Sequence, residues 1–241
     1  AIRDRLIIAM LVLIGLSASL SVFMASAAVT EQDQFTAVFS AGSLRILGVL
    51  GLVLFVVFFM RRSFEARDIE FLLSRPISRV QFILSYTTGF SCLAVIIGAA
   101  CGICVVALSP HLVSAGTLLW CLSIIVENII MVNMALFFAM FISSAAMGVL
   151  AVLAFYVLAR MMGQILGIID AGTSGLDFQG LEIAVQAISV ITPRLDLLGQ
   201  TSWLIYGAED AANFGFVIAQ GAVFIMLVLS AALLDLMKRQ F

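Results

Sequence analysis

Long apolar runs separated by short polar stretches dominate the chain. A helix needs about 20 predominantly apolar residues to cross the hydrocarbon core of a bilayer. The runs are continuous and lack the alternation of barrel strands, so they predict helices. Six segments meet this requirement: Leu6 to Val29, Leu44 to Met60, Val80 to Leu108, Leu112 to Ile142, Ala145 to Ile169 and Phe214 to Leu236. The pattern predicts an all-α polytopic membrane protein with six transmembrane helices, of which the third and fourth exceed one crossing.

The connections between these runs differ greatly in length. Ser109-Pro110-His111 joins the third and fourth runs, and Ser143-Ser144 joins the fourth and fifth. A proline at the first of these joints indicates a turn, because it cannot continue a helix. The segment from Asp170 to Asn213 is by far the longest connection, and much of it is apolar between Leu181 and Tyr206. Because such a segment would not remain in water, we expect a re-entrant helical segment at the outer face.

The composition agrees with this pattern. Hydrophobic residues make up 63% of the 241 residues and charged residues 11%, with a mean hydropathy of +1.22. Soluble domains carry about 25% charged residues. The bilayer is therefore expected to be the solvent for most of the chain, which we interpret as a single transmembrane domain over residues 1–241.

Basic residues predict the orientation. An even number of spans places both termini on one side, and that side would carry nine basic residues against two on the other. Cytoplasmic loops are enriched in lysine and arginine, so both termini are predicted to be cytoplasmic. The nine are Arg3, Arg5, Arg61, Arg62, Arg67, Arg75, Arg79, Lys238 and Arg239, and the two are Arg194, in a loop, and Arg45, near the membrane boundary.

A polar stretch lies between the second and third runs. This charged loop, residues 61–79, contains five of the 12 basic residues and no catalytic constellation. Ser74 or Ser78 is suited to cap the following helix, with Pro76 near its start. One interpretation is a solvated loop that follows the positive-inside rule. The other is a short helix that inserts into a groove on a cytoplasmic protein.

The sequence of this loop resembles that of a known family. Residues 69–79 read Ile-Glu-Phe-Leu-Leu-Ser-Arg-Pro-Ile-Ser-Arg. The first cytoplasmic loop of type-2 ABC exporter permeases has a similar pattern: an acidic residue, a Leu-Leu-Ser/Thr run, a proline, a small hydroxyl residue and a basic residue. The six-span layout and the apolar segment before the last span also resemble that family.

The resemblance implies a permease subunit in a bacterial inner membrane. In the family, this loop forms a coupling helix that docks on a separate cytoplasmic ABC ATPase, which holds ATP and Mg. Two permease halves, identical or related, pair around the transport path. The expected partners are thus the ATPase, a second permease half and the lipid bilayer, with no nucleic acid. By position the coupling helix comprises Glu65, Arg67, Asp68, Ile69, Glu70, Phe71, Leu72, Leu73 and Ser74.

Catalytic chemistry is not expected on this chain. The sequence contains no G-x-x-x-x-G-K-[ST] loop, and its single lysine is Lys238. Cys101 and Cys104 form a C-x-x-C pattern on an apolar helix without further ligands, which argues against a metal site. We therefore expect a transporter subunit that is not an enzyme and that binds no cofactor or metal of its own.

Two ionisable residues within the runs form a candidate site. Glu127 lies 16 residues before Ser143, and Arg160 lies 16 residues after Ser144. Antiparallel neighbours would place both at the same depth, about 24 Å from the turn. Because intramembrane charges usually find partners, Glu127 and Arg160 are predicted to interact directly or through a water. This intramembrane polar pair would either fix the register of the two helices or line, or gate, a transport path.

Other interpretations of the same residues remain open. The chain would be a secondary transporter if Glu127 and Arg160 formed an ion-coupling site, although neither inverted repeats nor broken helices are evident. It would be a membrane scaffold without transport activity if the charged loop merely recruited a cytoplasmic protein. Separately, Gly98-x-x-x-Gly102 and Gly163-x-x-x-Gly167 predict close approach between helices.

Overall fold

Helices make up nearly all of the part of the chain that is described. A computed structural model describes residues 5–26, 32–66, 78–170, 188–189, 192–207 and 212–238. Within these ranges no strand occurs, which confirms the all-α prediction for them. The α-helices are α1 (Arg5–Ser26), α2 (Gln32–Glu65), α3 (Arg79–Leu108), α4 (Ala115–Phe141), α5 (Ala145–Asp170), α6 (Ser202–Tyr206) and α7 (Ala212–Lys238), with 3₁₀ turns at Pro110–Leu112 and Leu195–Leu197.

Five of these helices, α1 to α5, are long and apolar enough to cross a membrane. Their outward faces carry large exposed hydrophobic side chains, such as Ile96 and Ile103 on α3, which are 63% and 68% exposed. Lipid rather than water suits such faces. In α7 the apolar stretch of the described part is Ile218–Leu234, which is shorter. The chain is thus a multi-pass membrane protein, and the sixth span stays a prediction.

Helix α2 is much longer than its predicted span. The sequence predicts a span from Leu44 to Met60, whereas α2 has 34 residues and a length of about 51 Å. Hydropathy detects only the part of a helix that lipid would solvate. The first turns of α2 are polar, yet Thr36 and Ser40 are buried within the protein. As a result Arg45, which the sequence places near the boundary, lies 13 residues inside the helix.

Helix α1 lies against α2 through one narrow stripe. Met10, Ile14, Ser17 and Ser21 are buried at spacings of three or four residues, which brings them to one face of the helix. Ser17 Oγ donates a hydrogen bond of 2.9 Å to Ser43 Oγ of α2. A hydroxyl pair of this kind joins two membrane helices where lipid would offer no partner.

Helix α4 lies at the centre of the bundle and packs against α2, α3, α5, α6 and α7. A Cβ atom at Gly98 of α3 would lie 2.8 Å from Ile125 Cγ1, and one at Gly102 would lie 2.8 Å from Cys121 Sγ. The predicted close approach at Gly98-x-x-x-Gly102 is therefore confirmed. The prediction for Gly163-x-x-x-Gly167 is wrong as a helix contact among the described residues, because a Cβ atom at Gly163 would meet Asp196 and one at Gly167 would have no described atom within 4 Å.

Local hydrogen bonds set the helix ends. Ser78 is the N-cap of α3, and its Oγ accepts a hydrogen bond of 3.1 Å from the Gln81 N–H. This confirms Ser78 as the cap, while Ser74 and Pro76 lie outside the described residues. Helix α5 begins at Ala145, immediately after the predicted turn at 143–144. Helices α4 and α5 are therefore sequential neighbours that contact each other, as the polar-pair prediction requires.

Candidate intramembrane charge cluster

Glu127 and Arg160 lie together between α4 and α5. Arg160 Nη1 is 3.6 Å from Glu127 Oε2, and the glutamate side chain is fully buried, at 0% exposure. The matched spacing around the turn at residues 143–144 thus predicts the contact correctly. The separation slightly exceeds a hydrogen bond, so the interaction is an ion pair in a region of low dielectric. The role of the pair in transport stays a prediction.

Tyr156 completes the contact of α5 with the carboxylate. Its hydroxyl donates a hydrogen bond of 2.9 Å to Glu127 Oε1. Tyr156 and Arg160 are four residues apart, so one face of α5 presents both to Glu127. Glu127 Oε2 has no hydrogen-bond partner within the part of the chain that the structure describes. The carboxylate therefore depends on one hydrogen bond and on the charge of the nearby guanidinium.

Arg160 also holds the segment that precedes α7. We call residues 192–207 the outer segment, a name that follows the orientation predicted from the sequence. Arg160 Nη1 donates to the backbone oxygens of Leu195, at 2.5 Å, and of Leu198, at 2.7 Å. Both leucine side chains are completely buried. The guanidinium thus holds the backbone in place, and the two leucine side chains pack beneath it. Its hydrogen bonds satisfy carbonyl oxygens that would otherwise be unpaired in an apolar environment.

Arg45 of α2 holds the next residue of the outer segment. Its Nη1 donates to the Gly199 oxygen at 2.6 Å, and the Gly199 N–H donates to Ser123 Oγ at 2.9 Å. Gly199 has φ +59°, a conformation that favours glycine. An added Cβ would lie 2.9 Å from Ile124 Cδ1 and 3.2 Å from Glu127 Oε2. The site therefore requires a residue without a side chain here.

These contacts define a charge cluster made of Arg45, Glu127, Tyr156 and Arg160. A buried charge without a partner costs several kcal/mol. In the cluster Arg160 pairs with Glu127, and the two guanidinium groups donate to three backbone oxygens, so none of the charges is isolated. Chemically, this arrangement can bind oxygen atoms and stabilise charge inside the bundle, and it does so by joining α2, α4 and α5.

A second ion pair lies within the outer segment. Arg194 Nη2 is 2.8 Å from Asp196 Oδ2, and the Arg194 backbone N–H donates to Gln220 Oε1 of α7 at 3.2 Å. The Asp196 carboxylate lies against Gly163 of α5, where a Cβ would collide with it. The outer segment is thus attached to α7 at one end and to the charge cluster further along.

On the opposite side, the residues of the predicted coupling helix divide into two groups. Glu65 is the exposed last residue of α2. Just before it, Arg61 Nη2 donates to the Ala139 oxygen in the last turn of α4 at 2.9 Å. The remainder lie outside the described residues, and their docking role stays a prediction: Arg67, Asp68, Ile69, Glu70, Phe71, Leu72, Leu73 and Ser74.

Sequence reasoning missed several members of the site. Tyr156 could have been found, because it lies one helical turn from Arg160 and carries a polar tip in an apolar run. The sequence predicts Arg45 near the membrane boundary, because hydropathy does not detect the early start of α2. Nothing in the sequence marks Gly199 among the 18 glycines. Its requirement comes entirely from neighbours on other helices.

The described residues contain no group of three or more His, Cys, Asp or Glu side chains that could hold a metal ion. Neither the protein-family models nor the curated proteins that were compared with this chain gave a match. The fold and the site define the class at this level: a helical, multi-pass membrane protein with a buried charge cluster beneath an outer segment.

Proposed function

We propose that this chain is the permease subunit of an ATP-driven exporter of the type-2 ABC class. The supporting observation is the charged loop, whose Leu-Leu-Ser-Arg-Pro sequence begins seven residues after Glu65, the exposed last residue of α2. The helix continues from that end to the depth of the charge cluster, so it joins a docking sequence to the bundle interior. The sequence itself contains no P-loop, so a separate ATPase would supply the energy.

In this proposal, closure of two cytoplasmic ATPases pushes on the coupling helix of each permease half. Packed helices transmit the motion as rigid elements and rock the two halves against each other. A path then opens toward the outer face, bordered by the outer segment. Six spans, cytoplasmic termini and a bacterial inner-membrane location belong to the same proposal.

A secondary transporter is the second candidate, and one observation favours it. Glu127 is fully buried among helices and its Oε2 has no hydrogen-bond partner among the described residues. Intramembrane carboxylates often form proton or ion relays. Under this alternative Glu127 would be the coupling site, and the charged loop would be an ordinary solvated connection.

The test is purification of the tagged chain from its native host in mild detergent, with identification of the proteins that accompany it. We expect a stoichiometric P-loop ATPase. Changing Phe71 and Leu72 to Asp should remove it, because a docking helix binds through its apolar side chains. Changing Ser143 and Ser144 to Asp adds two negative charges at the exposed turn between α4 and α5, outside the charged loop, and should retain the ATPase, which makes it the matched control.

A monodisperse chain that arrives without any ATPase would contradict the permease proposal. In that case, Glu127→Gln is tested in proteoliposomes for loss of transport driven by a proton or sodium gradient. If neither an ATPase nor gradient-driven transport is found, the membrane-scaffold interpretation is the one that remains.

A further inference from the structure

The charge cluster holds the outer segment through its backbone. Three oxygens of the segment accept from arginines, and one N–H donates to Ser123. These bonds come from three helices, since Arg45 lies on α2, Ser123 on α4 and Arg160 on α5. A hydrogen bond from an arginine to a neutral carbonyl breaks more readily than one to a carboxylate, because breaking it does not separate opposite charges. The contacts are therefore suited to being broken and remade.

What the outer segment covers is also specific. Beneath Gly199 lie Ile124 and Glu127, both completely buried, together with the stem of Arg45. Leu195 and Leu198 fill the adjoining space with fully buried side chains. If the segment moved away, the fully buried Glu127 carboxylate would become accessible, and the two arginines, which are already partly exposed, would become more so. The segment thus closes the charge cluster in the conformation that the structure represents.

Helix α2 connects this closure to the opposite side. Arg45 and Arg61 are 16 residues apart on one continuous helix, or about 24 Å. Arg45 contacts the Gly199 oxygen, and Arg61 contacts the Ala139 oxygen at the end of α4. The middle of α2 between them is tightly packed, with Leu52, Val53, Val56 and Val57 at 0% exposure. A displacement of α2 at Arg61 would therefore move Arg45 by nearly the same distance.

We propose that the outer segment is a latch and that Arg45 is the positioning residue through which α2 opens or closes it. Arg160 holds the latch from α5, and separation of α2 from α5 breaks one of the two attachments. The source of the movement, an ATPase acting on the charged loop, rests on the proposed function. The latch itself rests on the contacts of Arg45, Ser123 and Arg160 alone.

The test is hydrogen–deuterium exchange of the full chain in lipid nanodiscs, read in peptides that cover residues 195–206. Arg45→Met and Arg160→Met should each raise the exchange rate of this segment about tenfold, since the first removes one charge-assisted hydrogen bond to a backbone carbonyl and the second removes two. Arg45→Lys, which keeps one donor, should recover part of the protection. Arg194→Met removes an ion pair internal to the segment and should change the rate much less.

Peptides from the middle of α4 serve as the internal standard for folding. If their exchange also rises in Arg45→Met, Ser123→Ala replaces that variant, because it removes the acceptor of the Gly199 N–H without removing a charge. The latch proposal is overturned if two variants leave the exchange of residues 195–206 unchanged. The first is Arg160→Met, and the second is Arg45→Met or, where that variant is not folded, Ser123→Ala.

The contribution of α2 is tested from its inner end. Arg61→Met should raise exchange in residues 195–206 about twofold to threefold, whereas its exposed neighbour Arg62→Met should not. No response to Arg61→Met would overturn transmission along α2. None of these measurements needs an ATPase. The permease proposal is tested separately, by purification from the native host. If that purification yields no ATPase while the exchange of residues 195–206 responds as expected, the permease proposal is contradicted and the latch proposal stands.

Discussion

The charged loop and the charge cluster both contain arginines and acids, yet they hold charge in opposite ways. In the loop, Arg62 and Glu65 are exposed and close together in sequence. In the cluster, Glu127 is fully buried and its neighbours come from other helices. Exposed ion pairs contribute about 0–1 kcal/mol, whereas loss of one partner of a buried pair costs about 3–5 kcal/mol. Stability is therefore expected to depend on the cluster and not on the loop.

This difference also separates the kinds of function that each region can perform. A contiguous polar stretch of sequence can present side chains to another protein without disturbing the bundle. A cluster assembled from three helices senses their relative positions, because any separation lengthens its bonds. Recognition is thus expected at the loop and response to helix movement at the cluster.

The largest expected effect is at Arg160. Arg160→Met leaves the Glu127 carboxylate buried with only the Tyr156 hydrogen bond, and frees two carbonyls of the outer segment. We expect the free energy of unfolding to fall by about 3–5 kcal/mol. Denaturant titration in detergent measures it through the fluorescence of Trp120 and Trp203, both of which are buried.

The double variant Glu127→Gln with Arg160→Met is the control for this prediction. It removes both charges, so it should be more stable than Arg160→Met alone. A loss below about 1 kcal/mol in the single variant would mean that the cluster is no more important to stability than an exposed pair.

A smaller effect is expected at Gly199, where space and backbone conformation act together. Gly199→Ala places a Cβ 2.9 Å from Ile124 Cδ1 on a residue with φ +59°. We expect a loss of about 1–3 kcal/mol in the same titration. Gly42→Ala is the matched control, because Gly42 is a helical glycine of α2 whose added Cβ would have none of the described atoms within 4 Å. Equal free energies of unfolding for the two variants would show that the surroundings of Gly199 can accommodate a Cβ atom.

The smallest effect on stability is expected in the charged loop. Glu65 is exposed at the end of α2, so Glu65→Gln should change the free energy of unfolding by less than about 0.5 kcal/mol. Under the proposed function, the same variant should reduce the amount of ATPase that is recovered with the chain, measured by quantitative mass spectrometry. If Glu65→Gln lowered the free energy of unfolding as much as the cluster variants do, the expected difference in stability between the two regions would be contradicted.

Much of the helical framework could be predicted from the sequence. Apolar runs give the existence of α1 to α5, and the tight turn at residues 143–144 follows from two polar residues between two such runs. The limits of α2 could not be predicted, because its first turns are polar and are buried by protein, including Thr36 and Ser40, instead of lipid. Hydropathy reports the solvent of a helix and not its length.

The candidate site divides in the same way. The contact between Glu127 and Arg160 follows from sequence alone, because equal spacing from one turn places two residues at one depth on neighbouring helices. The contact between Arg45 and Gly199 joins residues 154 positions apart, and no local spacing relates them. Only the packing of α2, α4 and the outer segment brings them together. The apolar runs and the spacing around one turn thus determined the helices and one ion pair. Tertiary structure decided which part of the backbone the charge cluster holds in place.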